Sequence, residues 1–166
     1  MTTNLEYIKC FFSRCEKYRW SLDLKISNSP KEIIFLGLNP SLSNTTFLDN
    51  TTKKIIKISK RYKYGKLKII NLFGLVTKSP KLLKRHKDPI GYLNNYVINK
   101  NLKYWSKNIN CHLWLGWGNN GILFKRNIIV LKILLKYFNY KNDNFSSPLS
   151  PLSIQNTKYN QPIHPL

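Results

Sequence analysis

The sequence predicts a single-domain, three-layer α/β sandwich, and three observations lead there. First, the chain has 166 residues, 42% hydrophobic and 13% aromatic, which is enough for one core burying roughly 70% of the unfolded surface and too little for two full domains. Second, short apolar runs repeatedly end in loops rich in Gly and Asn. Third, segments of helical periodicity separate those runs, and such alternation calls for a parallel sheet covered by helices on both faces. The expected sheet is short and mainly parallel, with about four strands plus an N-terminal edge strand. Residues 1–30 would supply a helix and the edge strand, and residues 31–166 the parallel core.

Taken in order, Leu5, Ile8, Phe12 and Cys15 recur at helical spacing with Glu6, Lys9 and Glu16 between them, predicting an amphipathic helix. Trp20, Leu22, Leu24 and Ile26 alternate with Ser21, Asp23 and Lys25, the pattern of a half-buried edge strand, and Asn28-Ser29-Pro30 closes it as a turn. Ile33-Ile34-Phe35-Leu36 is apolar on both faces and runs into Gly37-Leu38-Asn39-Pro40-Ser41, as a central strand feeding a loop does. A helix fits residues 51–62, with Ile55, Ile58 or Ser59, and Tyr62 as its buried stripe. Residues 67–73 read as the second core strand, residues 78–91 as a loop, and Leu93, Tyr96, Val97, Tyr104 and Trp105 as the apolar positions of another helix. Cys111-His112-Leu113-Trp114-Leu115 is the third strand and runs into Gly116-Trp117-Gly118-Asn119-Asn120-Gly121. A long helix over residues 122–138 would turn Ile129, Ile133 and Phe138 inward. Residues 142–151 read as a flexible loop, and Leu152-Ser153-Ile154 as a short last strand.

The charge is extreme: 28 Lys and Arg against 7 Asp and Glu give +21. Such a chain attracts polyanions, so nucleic acid, DNA rather than RNA, is the expected partner. Only five of the basic residues are arginine, and the chain has 20 Asn, 18 Ile and no Ala. An AT-rich coding sequence also produces that mixture, because base-composition drift delivers Lys where phosphate recognition favours the planar fork of Arg.

Cys10, Cys15 and Cys111 form neither a C-x-x-C pair nor an even set, and His86, His112 and His164 are scattered, so no disulfide, metal or cofactor is expected. Apolar stretches run only a few residues, far short of a membrane span. The opening MTTNLEYIKCFF lacks a basic region followed by an apolar one. A cytoplasmic monomer is therefore expected.

In open α/β sheets ligands bind beyond the carboxyl ends of the strands. Four polar boxes fall there: Asn39-Pro40-Ser41, Asn71, the run from Gly116 to Gly121, and His164-Pro165. Each alone is an ordinary turn or a solvated residue. Their joint placement marks one rim as a site.

The set Trp20, Leu38-Asn39-Pro40-Ser41, Asp49 with Thr51, Asn71-Leu72-Phe73, Asp88-Pro89-Ile90-Gly91, Trp117-Gly118 and Gln161-Pro162-Ile163-His164-Pro165-Leu166 resembles a bacterial domain-of-unknown-function family marked by a Leu-Asn-Pro-Ser box. The resemblance covers nearly the whole chain. More distantly, Gly37-Leu38-Asn39-Pro40, Asn71, Trp117-Gly118 and His164-Pro165 are similar, in order and spacing, to the boxes of the uracil-DNA glycosylase superfamily. That likeness implies a uracil-DNA-glycosylase-like fold and a hydrolase of DNA repair that cleaves the N-glycosidic bond of a damaged base turned out of the helix.

On this resemblance Asn39 would place the water and His164 would donate to the departing base. Asn71 would read the base edge, Phe47 would stack on it, and Gly37, Pro40, Ser41, Gly118 and Asn119 would complete the base site. Two features depart from the glycosylases. The first box ends in Ser41 without an acidic residue, so catalysis is expected to be slow. The sequence also ends one residue after His164-Pro165, where the glycosylases continue into a wedge loop. The iron-sulfur version needs four cysteines, and three are present. The alternative is a module of the same fold that binds a base, nucleotide or nucleic acid without catalysis.

Overall fold

The structure is a computed structural model that describes residues 5, 7–145 and 150–165. Its strands are β1 (Tyr7–Phe12), β2 (Arg19–Lys25), β3 (Glu32–Gly37), β4 (Lys66–Asn71) and β5 (Cys111–Leu115). Its helices are α1 (Asn50–Arg61), α2 (Pro80–Arg85), α3 (Asn94–Lys107) and α4 (Arg126–Asn144), the last preceded by a 3-10 segment, Asn119–Lys125. The strands form one sheet in the order β1-β2-β4-β3-β5.

That sheet is mixed, which corrects the expectation of a mainly parallel one. β3 pairs in parallel with β4 and β5, whereas β2 runs antiparallel to both β1 and β4. Connection length explains this, since the short links at residues 13–18 and 26–31 cannot carry the long crossover a parallel pair requires. β2 is consequently interior, and β1 takes the edge.

β1 also replaces the helix expected at the start. Ile8, Cys10 and Phe12 are half-buried while Lys9 and Phe11 are exposed, a period of two that coexists in the sequence with the helical spacing of Leu5, Ile8 and Phe12. Pairing of Ile8 with Leu24 and Cys10 with Leu22 decides between the two periods.

Core residues divide between the two faces of the sheet. On one, Ile34, Leu36, Ile70, Leu113 and Leu115 pack with Ile98, Leu102 and Trp105 of α3 and Val130 and Leu134 of α4. On the other, Leu22, Leu24, Ile33, Phe35, Leu67 and Ile69 pack with Ile55 and Ile56 of α1. Helices thus cover both faces, giving three layers.

Helix α1 buries Thr52, Ile55, Ile56 and Ser59, so Tyr62 falls outside the stripe expected for it and is exposed. The long helix expected from residue 122 begins later, because Phe124 and Lys125 adopt left-handed φ values of 53° and 54° that break the 3-10 segment from α4. Val130 and Leu134 point inward, whereas Ile129 is exposed and Ile133 and Phe138 are only half-buried. α4 continues through Asn142–Asn144 into the segment expected to be a loop, whose residues 146–149 lie outside those described. Residues 78–91 contain the short α2. The expected last strand reduces to a single parallel bridge between Leu152 and Trp114, with Leu115 N donating to Leu152 O at 2.8 Å and Leu152 N to Leu113 O at 2.7 Å. Among the described residues no helix is long and apolar enough to cross a membrane.

Lys141 ties α4 to α3. It is 0% exposed, and its Nζ donates at 2.8 Å to both Trp105 O and Asn108 O, at the C-terminal end of α3. Lys141→Met keeps the aliphatic stem but removes a charge-assisted bond from each carbonyl, leaving only the longer backbone bonds from Asn108 N to Trp105 O at 3.3 Å and Cys111 N to Asn108 O at 3.2 Å, so it is expected to lower unfolding free energy by about 1–3 kcal/mol. Urea denaturation measures this, and a loss below about 0.5 kcal/mol would contradict the tie.

Candidate functional site

β3 is where the winding reverses, because β4 lies on one side of it and β5 on the other. The two crossovers leave on opposite faces, so a crevice opens beyond the carboxyl end of β3. A cavity of about 470 Å³ lies there, and its wall includes Gly37, Asn39 and Ser41 after β3, Asn71 from β4, Gly118 and Asn119 after β5, and His164.

Asn39 is held by its own amide. Nδ2 donates to Pro40 O at 2.9 Å and to Thr77 O at 2.7 Å. The flipped amide would set Oδ1 against two carbonyl oxygens, so this orientation is fixed and the remaining atom is an acceptor. The same turn is tied down by Thr77 N, which donates to Pro40 O at 3.0 Å.

Asn71 is 4% exposed, and its Nδ2 is buried without a partner among the described residues. An orphaned buried amide donor is costly. The backbone beneath Asn71 is fixed from the helical layer. Asn94 Nδ2 donates to Asn71 O at 3.2 Å and Leu72 O at 2.7 Å, and Arg126 Nε donates to Leu72 O at 2.7 Å. Burial lowers the pKa of Arg126 to about 10. Gly37 leaves room for the Asn71 amide, since a Cβ there would lie 2.9 Å from Asn71 Oδ1 and 2.8 Å from the Phe35 ring.

His164 arrives from the far end of the chain and is positioned by its neighbours. Gly118 N donates to Pro162 O at 2.8 Å, and Ile163 N to Gln155 O at 2.8 Å. Gln161 Oε1 accepts from Trp117 Nε1 at 3.0 Å and Asn127 Nδ2 at 3.2 Å. Gly118 has a φ of 67°, and a Cβ on it would sit 3.6 Å from His164 Cβ. Burial holds the His164 imidazole below its ordinary pKa, with Lys54 acting in the same direction and Asp49 opposing. At neutral pH the ring is therefore uncharged, with one N–H donor and one acceptor.

Two of the sequence-predicted residues stand apart from this wall. Pro40 is buried and contributes its carbonyl to the turn beneath Asn39. Phe47 is 52% exposed and lines a neighbouring depression of about 320 Å³, which shares Ser41, Thr51 and Lys78 with the cavity. Ser41 Oγ donates to Asp49 Oδ2, and Asp49 Oδ1 accepts from Thr52 N at 2.7 Å, so that carboxylate serves as the cap of α1.

Sequence reasoning missed Arg19, Thr77 and Lys78, which also line the cavity. Arg19 is 3% exposed, and of its side-chain nitrogens Nη1 donates to Ser43 O. A signal for it existed. In a chain with only five arginines among 28 basic residues, two of the five, Arg19 and Arg126, are buried.

The sequence model of a family described as Protein of unknown function (DUF1643) matches residues 19–166. The match spans every residue of the cavity wall and leaves β1 outside it. No curated protein and no solved structure matches the chain.

The imidazoles give stability a pH dependence. His112, whose Nδ1 meets the Tyr64 hydroxyl, is also held below its ordinary pKa, by burial first and then by Lys31 and Lys141. Both histidines therefore take up protons later in the folded chain than in the unfolded one. Their contribution is fully present above the ordinary imidazole pKa and is lost as pH falls from there through the depressed folded-state values. Urea midpoints are expected to fall between about pH 7.5 and 5.5 and to fall less in the double variant His112→Gln, His164→Gln. Equal slopes in the two proteins would show that these rings are not the cause.

Proposed function

We propose that this chain, which belongs to the DUF1643 family, is a slow N-glycosylase-like protein that takes a damaged or modified DNA base into the cavity beyond β3. The observation that carries this reading is the convergence of Asn39, Asn71 and His164, up to 125 positions apart in sequence, on one wall. Their hydrogen-bonding capacities divide as hydrolysis of an N-glycosidic bond requires. Asn39 Oδ1 accepts from the attacking water. Asn71 reads the base edge through its amide, which offers both donor and acceptor. Neutral His164 donates to the oxygen on which charge develops as the base leaves. In the reaction the water oxygen bonds to C1′, the glycosidic bond breaks with its electron pair passing to the base, and the water proton is taken up by base or solvent. The products are a free base and an abasic sugar.

A specific observation favours a second reading, a base-binding module without catalysis. Among the described residues no carboxylate lines the cavity, and both oxygens of nearby Asp49 are already bonded. Water in the cavity therefore lacks a carboxylate base, and in this mechanism His164 serves as the donor to the departing base, so the factor of about 10²–10⁴ that a general base supplies is absent.

Incubation with oligonucleotides carrying uracil, hypoxanthine, xanthine or bulkier bases, followed by alkali, reveals excision. If the protein is an enzyme, His164→Ala is expected to raise the single-turnover barrier by about 2–4 kcal/mol with little change in binding. Asn71→Ala would instead cost roughly 1–3 kcal/mol in affinity and relax discrimination among bases. Excision that persists at full rate in His164→Ala refutes the mechanism, and no excision of any base selects the binding module.

The charge of +21 supports the nucleic-acid part of the reading. DNA affinity is expected to fall steeply with salt as lysines release counterions. A titration that is flat between about 50 and 200 mM salt would remove DNA as the partner.

A further inference from the structure

The cavity wall contains a buried cation without a direct ion pair among the described residues; the Asp49 carboxylate acts on it only through space. Arg19 is 3% exposed, yet among the described residues its side chain makes one hydrogen bond, from Nη1 to a main-chain carbonyl, while Nε is buried without a partner. No described carboxylate lies within ion-pair distance of it; the ion pairs seen join Lys66 to Glu32 and Lys68 to Asp23. A guanidinium has five N–H donors and cannot shed its charge by deprotonation in water. Burying it without a paired anion is costly, and an anion entering the cavity would offset that cost.

The surroundings point the same way. The cavity's other charged lining residue is Lys78, and Asn71 adds a second orphaned donor. We infer that the cavity takes a ligand bearing an anionic oxygen, received by the Arg19 guanidinium together with the Asn71 amide. The demand for an anion stands on this geometry alone. That the anion belongs to a nucleoside, as an ionised base oxygen or a phosphate ester, rests on the base-binding reading above.

Four probes separate these sources: uridine, which is neutral; uridine 5′-monophosphate; xanthosine, whose base ionises near neutral pH; and inorganic phosphate. Binding is followed by tryptophan fluorescence, since Trp117 is in the wall. The 166-residue chain is expected to bind at least one anionic probe about tenfold or more tightly than uridine, and Arg19→Met is expected to abolish that preference. Preference for the monophosphate identifies a phosphate ester, and preference for xanthosine an ionised base. Arg19→Lys keeps the charge without the fork, so it serves if Arg19→Met does not fold; the preference should then shrink at an unchanged circular dichroism spectrum. The inference is overturned if all anionic probes fail to bind at millimolar concentration, if neutral and anionic probes bind alike, or if the preference survives substitution of Arg19. Nucleosides that bind without regard to charge would leave the base reading standing alone. Phosphate binding that depends on Arg19, with no nucleoside bound, would uphold the anion site and end the base reading.

Discussion

The parallel register of β3 between β4 and β5 is the constraint on which the rest of this structure depends. It continues past the strands themselves, with Leu72 N donating to Gly37 O and Phe73 N to Leu38 O, both at 2.9 Å, and Gly116 N to Leu36 O at 3.0 Å. Backbone pairing thus fixes where the Asn39 turn, Asn71 and Gly118 stand relative to one another before any side chain contributes. The reversal of winding at β3 then leaves space that no crossover fills.

Around that space the polar groups divide into those that hold the wall and those that remain for a ligand. Asn94 and Gln161 are spent on main-chain carbonyls or neighbouring side chains, and Arg126 in part, its Nε on Leu72 O while Nη2 is buried without a partner among the described residues; together they set the end of β4 and the returning C-terminal segment. Asn39 is half spent, because its amide nitrogen holds the loop while its oxygen is left over. Asn71 Nδ2 and Arg19 Nε are unspent. Buried side-chain atoms without partners also occur away from the cavity, at Ser59, Trp105, Trp114, Arg126 and Asn127; what sets this wall apart is that Arg19 and Lys78 line it while no carboxylate does among the described residues.

Much of this was legible in the sequence, and the failures have definite causes. Apolar runs ending in Gly or Asn identified β3, β4 and β5, because a strand buried on both faces needs side chains of one kind throughout. Periodicity failed at β1, where Ile8 and Phe12 satisfy a helical and a strand pattern together and only the partner strand discriminates. It failed again ahead of α4, where two left-handed residues, Phe124 and Lys125, break a segment whose apolar spacing reads as continuous helix. Neither residue type announces that conformation.

By itself the sequence determined an α/β fold, its core strands, and the meeting of Asn39, Asn71 and Gly118 at one edge, since parallel strands necessarily deliver their carboxyl ends together, whereas His164 reaches that edge through the contacts of the returning segment. Tertiary structure alone decided the direction of β2, which follows from which strand it pairs with, and the hydrogen-bonding state of each wall residue, which follows from what lies opposite it. Arg19 is the clearest instance. In the sequence it is one of 28 basic residues; in the fold it is a desolvated cation, because β2 lies inside the sheet and carries it away from water and beyond ion-pair reach of any described carboxylate.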